Sequence, residues 1–577
     1  MIIIKGIAAS PGIAIGKAYV FEDNDLVVEK RPITQDRVKI EVKRFKDAVK
    51  MTLSDLDATE TKVLLMLGKK HAKLIEAHRL ILKDPLLTQE VPRRISEDLV
   101  NAEYALSQTL DRINRHFEQI DDEFFRERRH DLFDVGKRMI RHLSQQEKKT
   151  LADIKTPSIL VSHNLYPSDT LHLRESRVLG FCTDVGGKTS HTALLAQSME
   201  LPAVVGLSDI TRQVKTGDVM VLDGDQGIVI VSPGPEALEK YQKLQRQMRQ
   251  QERFLETVRG LPSVTRDGHK VAMAVNLDAR EDPQSAAALA PDGVGLLRTE
   301  WLYMNRQTPP TEADHLPVYE SVLRAMAPAP VTIRLADIGG DKLTALGIEG
   351  SGNELNPFLG LRGIRLFLRH PELMRVQLRA LLAASRGGNL KIMIPMVTSI
   401  DEVHAVRKML DELHSELARE GRAPAALPEM GIMVEIPAAA ITLDTMLSVS
   451  DFVSVGTNDL IQYLLAVDRV NQHVAHMYDT YHPAVLRVLH LIVQTAHKKG
   501  KLVSVCGEMA SDPKSTGLLV GLGVDTLSVT PRMFLKVKHT LRALDFSACS
   551  KIAQQALSLP SCEEIRKLIL SQSDETA

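Results

Sequence analysis

Arginines, carboxylates and a cysteine recur at the ends of short apolar runs in the second half of the sequence. LLRTE ends in Arg298-Thr299-Glu300. VTIRLAD carries Arg334 and Asp337 and leads into Gly339-Gly340-Asp341-Lys342. IMVEI holds Glu435, SVGTND ends at Asn458-Asp459 with Arg469 soon after, and VSVCGE ends in Cys506-Gly507-Glu508. Guanidinium forks bind phosphate and carboxylate bidentately, so Arg298, Arg334 and Arg469 point to a small, densely anionic ligand. Glu435 and Asp459 are hard oxygen ligands that suit Mg2+ bridged to a phosphate. Cys506 is a candidate proton donor. The plainer alternative is a set of salt bridges with Cys506 as a small buried hydrophobe.

A second set is Gly186-Gly187-Lys188-Thr189-Ser190-His191-Thr192, between the run VLGFC and an apparent helix, HTALLAQSM. A glycine turn feeding a helix N-terminus offers free N–H groups and the favourable dipole end to an anion. Thr189, Ser190 and Thr192 add hydroxyl donors. Neutral imidazole is a nucleophile near pH 7, so His191 is a candidate carrier of a phosphoryl group. The spacing is not that of a P-loop. A capped glycine turn with an incidental histidine is the alternative.

These residues need elements to position them. Beyond residue 262, apolar runs alternate with helical stretches: VAMAVNL (271–277), VGLLRTE (294–300), VTIRLAD (331–337), LKIMIPM (390–396), GIMVEIP (431–437), FVSVGTND (452–459), KLVSVCGE (501–508) and DTLSVTP (525–531). Eight strands with helical crossovers predict a (β/α)8 barrel, whose chemistry sits at the C-terminal strand ends. The arginines, carboxylates and cysteine above fall at those ends. Ahead of the barrel, strands are predicted at 2–4, 13–21, 158–161, 178–182, 203–206, 219–222 and 228–231. Between them, Val38, Val42, Phe45, Val49, Leu53 and Leu56 form one face of a long helix, and Leu106, Leu110, Ile113, Phe117 and Ile120 repeat the pattern. His78 has the spacing to face that helical core. After Pro233-Gly234-Pro235, the segment EALEKYQKLQRQMRQQERFLETV is polar on nearly all sides and reads as a connecting helix. The expected organisation is an α/β domain (1–32 and 146–232), an inserted helical subdomain (33–145), a linker helix (233–261) and the barrel (262–577).

Composition narrows the function classes. Seventy-two basic and 73 acidic residues leave a net charge of -1, which argues against a dominant grip on nucleic acid or anionic membrane. The four cysteines (Cys182, Cys506, Cys549 and Cys562) are too scattered for a disulfide framework or zinc knuckle. MIIIKGIAASPG lacks the basic region of a signal peptide, and no apolar run approaches the ~18–20 residues of a membrane span. A cytoplasmic protein is expected.

Several longer stretches resemble one family. GGKTSHTALLAQSMELPAVVG resembles the phosphohistidine segment of enzyme I of the sugar phosphotransferase system, the phosphoenolpyruvate–protein phosphotransferases. LLRTEWLYM, DIGGDK, NPFLGLRGIR, IMVEIPAA, SVGTNDLIQYLLAVDR and CGEMASDP resemble that family's phosphoenolpyruvate-binding barrel. The resemblance runs from IAASPGIAIGKA to the last barrel helix. It implies a swivelling phosphohistidine domain with an inserted HPr-binding subdomain, then the barrel. It also implies transfer of the phosphoryl group of phosphoenolpyruvate to His191 and on to a histidine of the phosphocarrier HPr, with release of pyruvate. On this resemblance Arg298, Arg334 and Arg469 bind the substrate's phosphate and Asn458 its carboxylate. Glu435 and Asp459 hold Mg2+, and Cys506 protonates the enolpyruvate carbon. Lys342 lies in the matching DIGGDK loop, Arg362 matches an arginine near the phosphate, and Thr170 matches a threonine that hydrogen-bonds the active histidine. Family members dimerise through the barrel, so a homodimer is expected.

Three features depart from the family pattern. GKKHAKLIEAH places Lys69, Lys70, His71 and Lys73 where acidic residues commonly meet HPr, which suggests a paralogous carrier. Ser511 replaces a usual glycine, and Val529 a usual methionine. The dikinases and synthases that share both motifs need an ATP-binding domain ahead of the histidine domain, and residues 1–150 offer no nucleotide loop.

Overall fold

The computed structural model describes residues 1–21, 28–67, 78–79, 81–118, 132, 135–136, 138–144, 151, 154–165, 173, 176–187, 192–193, 196, 199, 201–304, 306, 308–339, 354, 356–471 and 473–573. Of these, 58–67, 114–118, 252 and 571–573 are described as backbone only. The expected site residues Thr170, Thr189, Ser190, His191 and Lys342 lie outside the described residues, as do Lys69, Lys70, His71 and Lys73. The chain divides into two units, Met1–Gln250 and Gln251–Ala577.

The first unit is built on an eight-stranded mixed sheet. Its strands are β1 (Ile2–Lys5), β2 (Ile7–Ser10), β3 (Ile13–Phe21), β4 (Ser158–Ser162), β5 (Val178–Thr183), β6 (Ala203–Val205), β7 (Val219–Asp223) and β8 (Ile228–Val231). The order is β1-β8-β7-β3-β4-β5-β6-β2, with β3, β4, β5 and β6 parallel and the other pairings antiparallel. The sequence reading missed β2. β1 and β2 are the two edges of the sheet, yet Gly6 alone separates them in the chain, so the sheet curls until its edges approach. Gly6 is required there, because a Cβ would stand 2.6 Å from the Val205 carbonyl oxygen.

The inserted helices carry their own core. Helix Val38–Leu67 buries Phe45, Ala48 and Leu56, and Val38, Val42, Val49 and Leu53 pack partly buried against the same cluster. Helix Ala102–Glu118 adds Leu106 and Leu110. Arg44 ties the pieces together, pairing with Glu41 (2.8 Å) and Glu103 (2.5 Å) and donating to the Leu143 carbonyl (2.7 Å). His78 is buried.

The segment read as polar all round is the helix Pro235–Val258. It is less uniformly polar than its sequence suggests. Tyr241 is buried against Val221 and Ile230, with Leu238 and Leu244 beside it. Three apolar residues spaced three apart form a narrow stripe that sheet β7–β8 covers. Beyond residue 250 the same helix belongs to the second unit, where the Phe254 ring meets His539 edge-on at 5.0 Å.

The second unit is a closed barrel of eight parallel strands: β9 (Ala272–Asp278), β10 (Gly293–Arg298), β11 (Val331–Arg334), β12 (Leu390–Ile394), β13 (Glu429–Val434), β14 (Val453–Val455), β15 (Val503–Val505) and β16 (Thr526–Val529), which pairs back onto β9. Each overlaps the run predicted for it. Strands covered on both faces read as continuous Val, Ile, Leu and Met, which is why they are legible without alternation. One device recurs at the N-terminal face. A carboxylate just ahead of one strand accepts from a backbone N–H of the preceding strand: Asp292 from Met273, Asp451 from Met430 and Asp525 from Val503, each at 2.8 Å. These acids fix register, which leaves the opposite face for chemistry.

Candidate active site

The C-terminal ends of the barrel strands surround an open cavity of about 470 Å³. Arg298, Arg334, Arg362, Asn458, Arg469, Glu435, Asp459 and Cys506 all line it. Its wall holds four arginines and five carboxylates: Glu300, Asp337, Glu435, Asp459 and Glu508. The cup is thus not simply cationic, as the arginines alone suggested.

The charges interlock. Arg334, the last residue of β11, is buried and pairs with Glu300 (2.9 Å) and Asp337 (3.7 Å). Burial alone would lower its pKa, but Glu300 and Asp337 hold it above the ordinary value. Arg362 grips both oxygens of Asp337 (3.0 and 2.5 Å), reaches Asp459 at 3.3 Å and donates to the Tyr463 hydroxyl at 3.2 Å. Arg469 lies 3.4 Å from the other Asp459 oxygen. Glu300 also accepts from the backbone N–H of Asp337 at 2.8 Å, so one carboxylate joins β10 to the segment after β11. Arg298 is exposed at the end of β10.

Glu435 is buried one residue past β13 and accepts from the Met396 N–H at 2.7 Å. Burial, reinforced by the nearby charge of Asp337 and opposed by Arg334, pushes its carboxyl up to about 8. Gly456 leaves room for it, since a Cβ there would stand 2.8 Å from Glu435 Oε2. Three buried polar atoms at the cavity have no hydrogen-bond partner among the described residues: Arg334 Nε, Asp459 Oδ1 and Arg469 Nη1. Unsatisfied donors and acceptors facing one cavity are what a bound anion and a cation would satisfy. The carboxylates of Glu435 and Asp459 fit a hard divalent cation, which would take Asp459 Oδ1 in place of its 3.4 Å ion pair with Arg469.

Asn458 is fixed by Glu508. Its Oδ1 accepts from the Glu508 N–H (2.7 Å) and its Nδ2 donates to Glu508 Oε1 (3.1 Å), which leaves one amide proton for a ligand. Tyr478 donates to the Asn458 carbonyl at 3.2 Å. Cys506, one residue past β15, is buried beside Leu296, Met393 and Met433, and burial raises its pKa, so it is a thiol at neutral pH. Ser511, one of the departures, accepts from the Thr530 N–H at 3.0 Å and so links the ends of two strands.

A buried relay stands behind this wall. Thr299 donates to the Arg334 carbonyl (2.9 Å) and accepts from Gln377 (3.0 Å). Gln377 also donates to Tyr319 (3.1 Å) and accepts from the Ala336 N–H (3.1 Å). Gln377, Tyr463, Tyr478 and Asn276, which lines the cavity and donates to the Cys506 carbonyl at 2.9 Å, were missed by sequence reasoning. Asn276 lies near the end of a strand and Tyr463 four residues after Asp459, so position could have flagged both. Gln377, inside helix Pro371–Ala384, gives no such signal.

In the first unit, the described residues flank the expected histidine. Gly186 sits at φ +128°, a conformation that favours glycine, and Gly187 is described next to it. Before the turn, buried Asp184 accepts from His163 (2.9 Å), from the Thr211 N–H (3.0 Å) and from the Thr211 hydroxyl (2.6 Å). After it, Thr192 donates to the Leu165 carbonyl at 3.3 Å. Both flanks are thereby pinned.

Known proteins match the chain throughout. Residues 252–546 match the family model for the PEP-binding domain of PEP-utilising enzymes, residues 5–128 the N-terminal domain and residues 154–227 the mobile domain. A phosphoenolpyruvate-protein phosphotransferase from Bacillus sp. (strain S) is 43% identical, over 97% of this chain and 96% of the relative. That of Geobacillus stearothermophilus is also 43% identical, with the same coverage. That of Bacillus subtilis (strain 168) is 40% identical, over 97% and 98%. No helix among the described residues is long and apolar enough to cross a membrane. Strand-end arginines, a carboxylate pair, a buried thiol and relatives matched end to end converge on one assignment: the chain belongs to the phosphoenolpyruvate-protein phosphotransferase family.

Proposed function

We propose that this protein takes the phosphoryl group of phosphoenolpyruvate onto His191, releases pyruvate, and passes the group to a histidine of an HPr-type phosphocarrier, the first step of a sugar phosphotransferase system. The observation that carries this reading is the cavity at the barrel mouth, where unsatisfied guanidinium and carboxylate atoms face one another. Arg298, Arg334 and Arg469 take the phosphate, with Arg362 and Lys342 beside it, and Asn458 takes the carboxylate with its free amide proton. Glu435 and Asp459 hold Mg2+. A metal held there would supply positive charge to offset that of the phosphate and the enolate.

The chain's own groups do the rest. His191 attacks phosphorus as the enolate oxygen leaves. The P–O bond breaks, an N–P bond forms, and the enolate electron pair takes the proton of the Cys506 thiol at C3. The thiolate then recovers a proton from water. Gly186, Gly187, Thr189, Ser190 and Thr170 are the candidates to support His191 in this step. Residues 1–32 with 146–232 act as the moving histidine domain, 33–145 as the carrier-docking subdomain, 233–261 as the linker and 262–577 as the catalytic and dimerisation domain. We place the protein in the cytoplasm as a homodimer. Lys69, Lys70, His71 and Lys73 favour a carrier less basic than usual, a paralogue of HPr.

Incubation with labelled phosphoenolpyruvate and Mg2+ tests the reading. The expected product is an acid-labile, base-stable phosphoprotein, formed without ATP and abolished by His191→Ala. Labelling that requires ATP, or that persists in His191→Ala, refutes it. Light scattering with and without substrate tests the dimer, and a monomer in both conditions counts against it.

A further inference from the structure

Among the described residues, one polar side chain hydrogen-bonds the Cys506 sulfur. Leu296, Met393 and Met433 surround the sulfur with apolar atoms. Ser454, in the middle of β14, is fully buried and points its hydroxyl at the sulfur, Oγ to Sγ 3.4 Å. β14 and β15 run parallel with Ser454 paired to Ser504, and the Cys506 N–H donates to the Val455 carbonyl at 3.1 Å, so the backbone fixes this approach. The thiol proton rests on the same Val455 carbonyl, with Sγ to O 3.6 Å. The serine therefore donates to the sulfur while the sulfur still carries its proton.

We infer that Ser454 is a positioning residue for the proton-transfer step: its hydroxyl fixes the Cys506 sulfur and stabilises the thiolate left when the thiol proton leaves the Val455 carbonyl for C3 of the enolpyruvate. This rests on the reading of Cys506 as proton donor. In the step, the S–H bond breaks, a C3–H bond forms from the enolate electron pair, and the sulfur keeps its own pair as thiolate. That charge appears in an apolar pocket. A donor already aimed at it needs no reorganisation, which is the condition under which a hydrogen bond contributes most. The charged groups bearing on the sulfur are Arg334 and Arg298, which favour thiolate, and Glu435, which opposes it. None of them donates a hydrogen bond to the sulfur. Ser454 supplies the direct contact.

The test uses the full-length protein with Mg2+ and the variants Ser454→Ala, Ser454→Thr, Ser454→Cys and Cys506→Ala. Three quantities are read: single-turnover pyruvate formation, the KM for phosphoenolpyruvate, and the pH midpoint for alkylation of Cys506 followed on its own peptide by mass spectrometry. Ser454→Ala is expected to slow pyruvate formation about tenfold, to leave KM within about twofold and to raise the alkylation midpoint by about one pH unit. Threonine restores rate and midpoint, and cysteine, a weaker donor, falls between. An unmoved midpoint in Ser454→Ala overturns the inference even if the rate falls, because packing alone would then explain the loss. Failure of threonine to restore either quantity overturns it too. If alanine does not fold, the cysteine variant decides on the same midpoint. Wild-type pyruvate formation by Cys506→Ala refutes the proton-donor reading beneath, a separate outcome from an inert Ser454.

Discussion

Replacing Thr299 by valine should damage the active site without touching a lining side chain. Thr299 is fully buried and nearly isosteric with valine. Its hydroxyl has two commitments, donation to the Arg334 carbonyl at 2.9 Å and acceptance from Gln377 at 3.0 Å. The Gln377 amide cannot turn to compensate, because its oxygen already takes the Ala336 N–H and its other proton lies on Tyr319. Valine therefore strands one carbonyl and one N–H, each costing about 1–3 kcal/mol when buried. The sum is about 2–6 kcal/mol, before a return of about 1 kcal/mol from the added methyl. For a barrel of this size, that lowers the thermal transition by roughly 5 °C or more. The catalytic effect follows from where the strand ends lie. The stranded carbonyl belongs to Arg334 itself, and a displacement of its backbone moves the guanidinium that we propose meets the phosphate. Misplacement on the order of 1 Å costs up to about 10²-fold, so kcat/KM for phosphoenolpyruvate should fall between about 5- and 50-fold. Thr299→Ser keeps the hydroxyl and should stay within about twofold in both assays. Calorimetry and steady-state kinetics on the three proteins decide. If valine lowers the melting temperature but leaves kcat/KM at the serine level, the relay is scaffold only and the reasoning fails.

Arg362→Lys keeps the charge but cannot span Asp337 and Asp459 with one planar fork, so kcat/KM should fall about tenfold, and a wild-type value would show the fork is dispensable. His315 is buried beside Tyr319, and burial lowers its pKa from 6.5 to about 4. The unfolded chain takes up a proton at 6.5 that the native state refuses until about 4, so this contribution is present above pH 6.5 and lost between 6.5 and 4. His315→Gln should flatten acid unfolding in that window, measured as melting temperature against pH. Gly186→Ala forces a side chain onto φ +128°, at a strain of about 1–3 kcal/mol. Phosphorylation of His191 should slow severalfold while phosphoenolpyruvate affinity in the barrel is unchanged, and an equal fall in both would refute a local effect.

How much of this was legible in the sequence follows from what each element must satisfy locally. The barrel strands were readable because both faces are buried, and β9 to β16 show it as apolar runs such as VTIR and LKIMI. The site was readable because a polar residue at the end of such a run has few structural reasons to be there. β2 was not, because IAAS is short and continuous with β1 but for Gly6, and only closure of the sheet tells the two apart. The stripe Leu238, Tyr241, Leu244 was hidden among glutamines and arginines, since three residues on a 24-residue helix hardly disturb its polarity. Gln377 was illegible for another reason: its partners are backbone and side chains 41 to 78 residues away, and sequence spacing carries no trace of them. The pairing of Arg334, Arg362 and Arg469 with carboxylates was equally hidden. Residue types named the charges, and only the geometry gave their bookkeeping.

That pairing has a consequence for the order of binding. Asp459 is shared: one oxygen lies 3.3 Å from Arg362 and the other 3.4 Å from Arg469. With Asp337, it holds two guanidinium groups that a phosphate would otherwise meet. A dianionic phosphate entering alone must displace these carboxylates from the arginines they hold. A divalent cation on Glu435 and Asp459 draws the shared carboxylate away and loosens its hold on both arginines, so cation and substrate should favour each other's binding. Coupling of this kind is reciprocal and typically amounts to about 5- to 150-fold. Isothermal titration should therefore show phosphoenolpyruvate binding at least fivefold tighter at saturating Mg2+ than in chelator, and Mg2+ tighter by the same factor when substrate is present. Asp459→Asn, which lowers the charge that pins the arginines, should shrink that factor by weakening Mg2+ while strengthening metal-free substrate binding. Equal substrate affinity with and without Mg2+, or metal-free binding that weakens in Asp459→Asn, would mean that the carboxylates orient the arginines instead of competing for them.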